Sequence, residues 1–586
     1  MTVSPPAPAT PSPPSWAEHA SNFYKAGDIG RAIEVVEARV KTHPDDIAAW
    51  HKLARWLTEI WQFARADAVI THALTVAGDD AVLLALQVFV KQALGQTDLA
   101  RTVATNATAR HPTHLSFLFD SKLLVPAVYA DHADLAARRT QYDAGLAELE
   151  SMLPLMQQDP GRIFKLERSN FLLAYQGEDD LQLQRRYADL LGEMIATADP
   201  ALREAPLLGF RSPLARQPGS GRKLRVGFVG KWFFSCTAGN YFERWITKLD
   251  TARFERFVYY TGHVSDEVTA RIGKSAEHFS HLHSDVRSNT YRIRADELDI
   301  LIYPEVGMST SSYLLASCRL APVQCAGWGH PVTTGNRAID VYLSCAEMEP
   351  PGYQSHYSER VSLLDGIGVD VAMPAVDMPG DRADFGLPPT GRLYFCPQSI
   401  FKIHPDMDEA LASILERDSA AVLVFFQADS RAITMAFADR LTKVVAARSI
   451  DAKAQIKFLP RLSTRVFRMV LKLADVVLDP FRWSGGGTSL DAFAGDVPVV
   501  TLPGSFMRGR QTAAMLRMLG AESLIATNVD EYVRTAIEVA TNRTMNRDLR
   551  ALIHANKRAV FEREDLNGQF ADVLFALASE PATRGA

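Results

Sequence analysis

The feature that most constrains this chain lies between Asp475 and Asp491. Apolar residues 476–478 lead into Asp479, Pro480, Phe481, Arg482, Trp483 and Ser484. Three glycines follow, Gly485, Gly486 and Gly487, and then Thr488, Ser489, Leu490 and Asp491. An apolar run that stops at consecutive glycines and restarts with helix formers reads as strand, turn, helix. Glycines let the backbone approach a ligand closely, and the unpaired N–H groups of a helix start, aided by the helix dipole, favour a phosphate. After Gly495, Asp496, Val497 and Pro498 comes another buried strand at 499–502. That is the βαβ order of a doubly wound sheet, whose ligands sit outside the carboxyl ends of the strands. The turn is read as a pyrophosphate cradle.

A chain of 586 residues exceeds what one core can fill, so roughly three or four domains are expected. The net charge of −5 offers no broad basic field, which argues against nucleic acid or an anionic membrane as partner. No apolar run reaches the ~18 residues of a membrane span. The amino terminus, with Pro5, Pro6, Pro8, Pro11, Pro13 and Pro14, lacks the order of a signal peptide, and a cytoplasmic location is expected. The five cysteines, Cys236, Cys318, Cys325, Cys345 and Cys396, show no metal-ligand spacing and are read as free thiols.

Residues 1–15 form a Pro/Ser/Ala tail too poor in apolar surface to order itself. A 34-residue register follows. Ala32, Ala66 and Ala100 align, as do Pro44, Gly78 and Pro112, and Ala20, Ala54 and Val88. Three columns at one period signal stacked helical hairpins over 16–114. Trp16, Phe23, Ala32, Val36 and Pro44, then Trp50, Leu57, Ala66, Ile70 and Gly78, resemble the signature positions of tetratricopeptide repeats. In the third unit Lys91 replaces the aromatic. Such solenoids have a concave face used for protein or peptide contact, or serve only as scaffold. A helical connecting domain is expected over 115–215, with a linker at 216–222.

Strand-like runs then alternate with helices. Those at 224–229, 257–260, 298–303, 323–326, 341–344 and 361–364 define a first lobe over 222–373. Those at 393–396, 422–426, 456–459, 476–479 and 499–502 define a second over 390–545, after a Pro/Gly/Asp-rich linker at 374–389. Two doubly wound lobes leave a cleft between them, and helices over 546–579 are expected to pack across both. After the first strand of the second lobe come Gln398 and Lys402, placed to face the same crevice as the glycine turn, where a lysine acts as a point charge for a diphosphate. Asp406 and Asp408 form the one Asp-x-Asp pair, but behind Pro405 they read as helix-capping carboxylates and no metal is expected.

These motifs resemble the O-GlcNAc transferase and SPINDLY family of inverting glycosyltransferases. The matching text is Gln398-x-x-x-Lys402-Ile403, Leu473 to Val476, Gly485-x-x-Thr488-x-x-Asp491, and Gly495-x-x-Pro498 through Gly504 in the second lobe. In the first lobe it is Ala321 to Gln324, Gly329-x-Pro331-x-Thr333-Thr334-Gly335, Asp340, and Tyr357-Ser358-Glu359. The resemblance implies a tetratricopeptide-like α-helical solenoid followed by an α/β GT-B fold of two Rossmann-like lobes. It implies metal-independent transfer of a hexose, GlcNAc foremost, from a UDP-sugar to Ser or Thr of a protein acceptor bound along the repeats, with no cofactor. In the family pattern Lys402 offsets charge on the departing diphosphate, and Gln398 lies near the nucleotide. Thr488 to Asp491, with Ser489 between, lie at the helix start and ribose. His330 sits with Gly329 and Pro331 in a loop bordering donor sugar and acceptor, and His278 is a second base candidate.

The chain departs from that pattern in three places. Cys236 or Asn240 falls where a histidine is usual after the first strand, Phe467 or Arg468 replaces another histidine, and Gly486 and Gly487 replace a histidine and a threonine. Phe467 remains suited to stacking on a base. These departures keep two alternatives open: another donor and acceptor, such as UDP-glucose to Asn or a sugar on flagellin or an adhesin, and a non-catalytic repeat-containing binding protein.

Overall fold

The computed structural model describes residues 15–25, 28–203, 222–282 and 285–579, so the proline-rich tail and most of the linker at 216–222 lie outside the described residues. The chain divides into two compact units, 1–124 and 125–586.

The first unit is helical. Six helices, Trp16–Lys25, Ile29–Thr42, Ile47–Glu59, Phe63–Ala77, Ala81–Ala93 and Thr97–Arg110, form three hairpins, and a seventh, Leu115–Leu123, follows. The aligned positions are where these helices meet. Ala20, Ala32, Ala54, Ala66 and Ala100 are 0% exposed and Val88 1%, because only small side chains let two helix backbones approach this closely. The Trp50 indole donates to the Pro44 carbonyl at 2.8 Å, which fixes the turn between hairpins. Lys91, where the aromatic is missing, instead bonds Asp67 at 2.8 Å.

The second unit holds two wholly parallel sheets. The first contains β1 (Leu224–Gly230), β2 (Phe254–Tyr260), β3 (His278–His281), β4 (Ile300–Tyr303), β5 (Val323–Gly327), β6 (Val341–Cys345) and β7 (Arg360–Leu364), in the order β3-β2-β1-β4-β5-β6-β7. The second contains β8 (Arg392–Phe395), β9 (Ala421–Phe426), β10 (Ile456–Leu459), β11 (Val476–Leu478) and β12 (Val499–Val500), in the order β10-β9-β8-β11-β12. Eleven strands coincide with the apolar runs, since a parallel strand covered on both faces is hydrophobic throughout. The unforeseen strand is β3, whose His-Phe-Ser-His text is mostly solvent-facing at the sheet edge.

The segment 125–203 touches both lobes. At Gly335, with φ of +68°, a Cβ would lie 2.5 Å from the Arg185 backbone nitrogen, so only glycine lets the first lobe approach the helix Leu181–Ala198 there. On the second lobe Arg440 donates to the Tyr129 carbonyl at 3.0 Å, to the Ile403 carbonyl at 2.7 Å and to Asp408. The carboxyl-terminal helices cross between the lobes. Asn546 donates to the Asp475 carbonyl at 2.7 Å in the second, and Phe570 stacks at 4.4 Å on buried Trp245 in the first.

Candidate functional site

In each sheet the chain builds outward on one side of its first strand and then returns to the other, so a crevice opens where the order reverses. In the second sheet that point lies between β8 and β11. Gln398 and Lys402 follow β8, and the glycine turn follows β11, with the helix Gly487–Ala494 behind it. In the first sheet it lies between β1 and β4, followed by the helix Thr237–Thr247 and by the loop at 304–307.

Asp479, at the end of β11, organises the second crevice. It is 2% exposed and accepts from Ser484 Oγ at 2.8 Å, Gly485 N–H at 2.6 Å and Thr501 Oγ1 at 2.6 Å. Burial pushes its carboxyl up to about 6, and these donors oppose the rise. Burial also draws the Lys402 ammonium down to about 8, while the attraction of Asp479 works to keep it charged. Lysine and turn thus act on one carboxylate, the turn through hydrogen bonds and the lysine through its charge. Gln398, 3% exposed, donates from Nε2 to Thr488 Oγ1, and its Oε1 is buried without a partner. A Cβ at Gly485 would sit 2.6 Å from Gln398 Nε2 and 2.9 Å from Thr488 Oγ1, so the turn passes directly under this pair.

Not every amide and hydroxyl of the turn is available to a ligand. The Gly485 N–H is spent on Asp479, and the Ser489 and Leu490 N–H groups donate to the Gly486 carbonyl at 3.1 Å, which leaves the Gly487 and Thr488 N–H groups as the helix-start donors that lack an intrahelical acceptor. Ser489 is 1% exposed and bonds Thr512 at 2.7 Å, so it supports the turn from behind. Asp491 is held by Arg468 Nε at 2.6 Å. Burial raises its carboxyl and Arg468 opposes that. Phe467, beside Arg468, is half-buried with its ring 5.1 Å from Phe426 at the carboxyl end of β9.

His330 is 3% exposed, in the loop after β5. Burial first and the Arg508 charge second bring its imidazole down to about 4, against a backbone hydrogen bond with Phe171, and Nε2 is buried without a partner. It belongs to an aromatic wall. Its ring lies 5.5 Å from Phe171 and 6.1 Å from Trp483, Trp483 is 4.1 Å from Tyr175, and the Lys402 amine is 6.0 Å from the Trp483 ring. Gly329 provides a close approach between loops, its N–H donating to the Pro304 carbonyl at 2.9 Å, and Pro331 lines a small cavity with Asp180, His356 and Arg508.

His278 does not join this group. It opens the edge strand β3, half-exposed, with Nε2 2.8 Å from Glu255 and its ring 4.2 Å from Phe257. Glu255 lies within 3.7 Å of Arg225, the second residue of β1. The imidazole therefore sits toward the amino ends of the strands, away from the crevice. The strand assignment missed in the sequence is the reason: pairing β3 with β2 fixes His278 opposite Phe257. Cys236, where an imidazole was sought, caps the helix Thr237–Thr247, and burial raises its thiol to about 11.

Several groups were missed in the sequence. Asp479 reads as the end of a strand, and only its three bonds show its role. Trp483 reads as a loop aromatic. Glu305, after β4, is 1% exposed, accepts from the Lys231 N–H at 2.7 Å, and is pushed by burial up to about 7. A carboxyl directly behind a strand is a signal only once the order of strands is known. Among the described residues no group of three or more His, Cys, Asp or Glu is arranged to hold a metal. Asp406 and Asp408 are bound instead by Arg482 at 2.5 Å and Arg440 at 2.7 Å. The arrangement presents an ammonium, an amide oxygen, helix-start N–H groups and an apolar wall to one crevice, which suits an anion carrying an organic group.

Residues 370–564 match the family described as Glycosyl transferase family 41. A probable UDP-N-acetylglucosamine--peptide N-acetylglucosaminyltransferase SPINDLY of Solanum lycopersicum is 25% identical over 342 residues, 56% of this chain and 36% of that protein. A UDP-glucose:protein N-beta-glucosyltransferase of Actinobacillus pleuropneumoniae serotype 7 is 26% identical over 264 residues, 44% of this chain and 40% of that one. The aligned part thus spans little more than a third of the curated relatives' length. A solved Thermobaculum terrenum O-GlcNAc transferase mutant superposes with a TM-score of 0.70 at 21% identity, covering 97% of this chain and 98% of that one. It shares the fold, helical region and two α/β lobes together. No helix among the described residues is long and apolar enough to cross a membrane. The family match falls on the lobe that carries Lys402, Gln398 and the glycine turn, and that lobe is similar to the glycosyltransferases of the O-GlcNAc transferase and SPINDLY family.

Proposed function

We propose that the protein is a metal-independent inverting glycosyltransferase of the cytoplasm. It moves a hexose, GlcNAc foremost, from a UDP-sugar to Ser or Thr of a protein acceptor held along its helical repeats. The observation that carries this reading is the convergence of Lys402 and the glycine turn on Asp479 at the switch point of the second sheet. As the acceptor hydroxyl attacks the anomeric carbon, the bond to the β-phosphate oxygen breaks and its electron pair leaves with the UDP. The Lys402 ammonium and the helix-start N–H groups stabilise that charge in a water-poor setting, where such contacts are strongest. Gln398 and Asp491 hold the nucleoside, with Phe467 at its rim. Neutral His330, with a free Nε2, takes the acceptor proton.

A panel of nucleotide sugars tests the donor. Turnover is expected with a UDP-hexose and is expected to persist in EDTA, because Lys402 supplies the cation. Loss of activity on chelation would remove the metal-independent mechanism. UDP binding with no turnover on any protein would favour the non-catalytic reading. A second reading, UDP-glucose to Asn, draws on the Actinobacillus relative, and the mass increment on a modified protein separates transfer of a hexose from transfer of an N-acetylhexosamine. The pH profile has two limbs. His330 works deprotonated and Lys402 protonated, so kcat/KM is expected to rise through about 4 and fall through about 8. A bound diphosphate raises the lysine, so the alkaline limb of kcat lies at higher pH than that of kcat/KM. A flat profile across about pH 8 would dissociate Lys402 from turnover.

A further inference from the structure

The glycine turn of the second lobe faces a helix of the first. Thr237 and Tyr241 stand four residues apart, on one face of the helix Thr237–Thr247. A Cβ at Gly486 would lie 2.5 Å from Tyr241 Oη and 2.5 Å from Gln511 Oε1, and one at Gly487 would lie 3.2 Å from Thr237 Oγ1. The two glycines are therefore not simply empty positions. They admit two hydroxyls from the opposite lobe.

The two hydroxyls differ in setting. Thr237 is exposed at the rim. Tyr241 is 4% exposed, its ring 4.9 Å from Trp328, and its Oη is buried without a hydrogen-bond partner. A buried phenol left unpaired costs stability, so its retention calls for a ligand that completes it. Burial holds this phenol well above its ordinary titration range, with the Asp491 charge acting in the same direction. It stays a neutral donor. The acceptor it fits is an anion lying on the Gly487 and Thr488 N–H groups at the start of the helix Gly487–Ala494, next to the Gly486 position that Tyr241 Oη approaches.

We propose that Tyr241 of the first lobe donates a hydrogen bond to the diphosphate of the sugar nucleotide across the cleft, with Thr237 as a weaker contact at the rim. The inference rests on the UDP-sugar reading and adds a binding residue from the lobe opposite Lys402. It also makes donor affinity report on the apposition of the two lobes, because the contact exists only while Tyr241 meets the turn.

Tyr241→Phe keeps the ring and its packing and removes only the donor. UDP binding measured by calorimetry on the full chain is expected to weaken by roughly tenfold or more, as for a hydrogen bond to a charged group. Uridine, which lacks the diphosphate, should bind the variant as it binds the wild type. A Thr237→Val variant should lose less. Unchanged UDP affinity in Tyr241→Phe, with the wild type binding UDP, overturns the inference alone. An equal loss for uridine and UDP overturns it too, since that result marks a structural role. A wild-type protein that binds no UDP overturns the donor reading as well.

Discussion

Lys402→Ala is expected to lower turnover of the sugar donor at least ~100-fold, the loss usual when one preorganised donor to a developing oxyanion is removed. The ammonium lies by the apolar wall of Trp483, Tyr175 and Phe401, and burial has already drawn it down to about 8. A charge kept in so dry a place has been paid for in folding, and it is offset most fully when the leaving phosphate arrives. The effect should therefore fall on kcat more than on UDP affinity, because charge on the β-phosphate grows in the transition state. Lys402→Arg should not restore the rate, since a planar guanidinium on a longer reach cannot occupy the site of a point charge. Steady-state rates with saturating acceptor decide the matter, and an unchanged kcat in the alanine variant would withdraw the role.

The second large effect is expected at Asp479. Asp479→Ala leaves Ser484, Thr501 and the Gly485 N–H without their acceptor in a buried place. At about 1 kcal/mol or more for each orphaned donor, the loss is on the order of 3 kcal/mol, read as a fall in the denaturation midpoint. Asp479→Asn keeps the shape and one acceptor oxygen but removes the charge that favours the protonated lysine. Its signature is electrostatic. The alkaline limb of kcat/KM, near 8 in the wild type, should move to lower pH. A limb that stays in place would show that lysine and aspartate are not coupled.

These two residues were not equally legible. Lys402 was legible because it and Gln398 follow the first strand of the second lobe, facing the same crevice as the glycine turn, and match the family pattern. Asp479 did not, since an aspartate ahead of a proline at the end of a strand is ordinary turn chemistry. The repeats were legible for a geometric reason, as helices that touch need small residues at a fixed period, and Ala32, Ala66 and Ala100 are the contact points. The edge strand β3 was not, because half of its surface faces water and its apolar signal vanishes. His278 went astray with it. Ser489 looked equal to Thr488 in the glycine turn, yet helix rotation turns one hydroxyl to Gln398 and the other to Thr512.

Sequence alone determined eleven of the twelve described strands, the repeated helical hairpins, and that a glycine turn with a lysine upstream belongs to the second lobe. Those are local facts, carried by hydrophobic period, small-residue spacing and backbone freedom. Tertiary structure alone decided the order β10-β9-β8-β11-β12, which brings Lys402 and the turn to one switch point. It also decided that Tyr241 of the first lobe meets Gly486 of the second. Contacts between segments more than 200 residues apart, 241 and 486 by number, depend on how whole layers pack, and no local pattern encodes that.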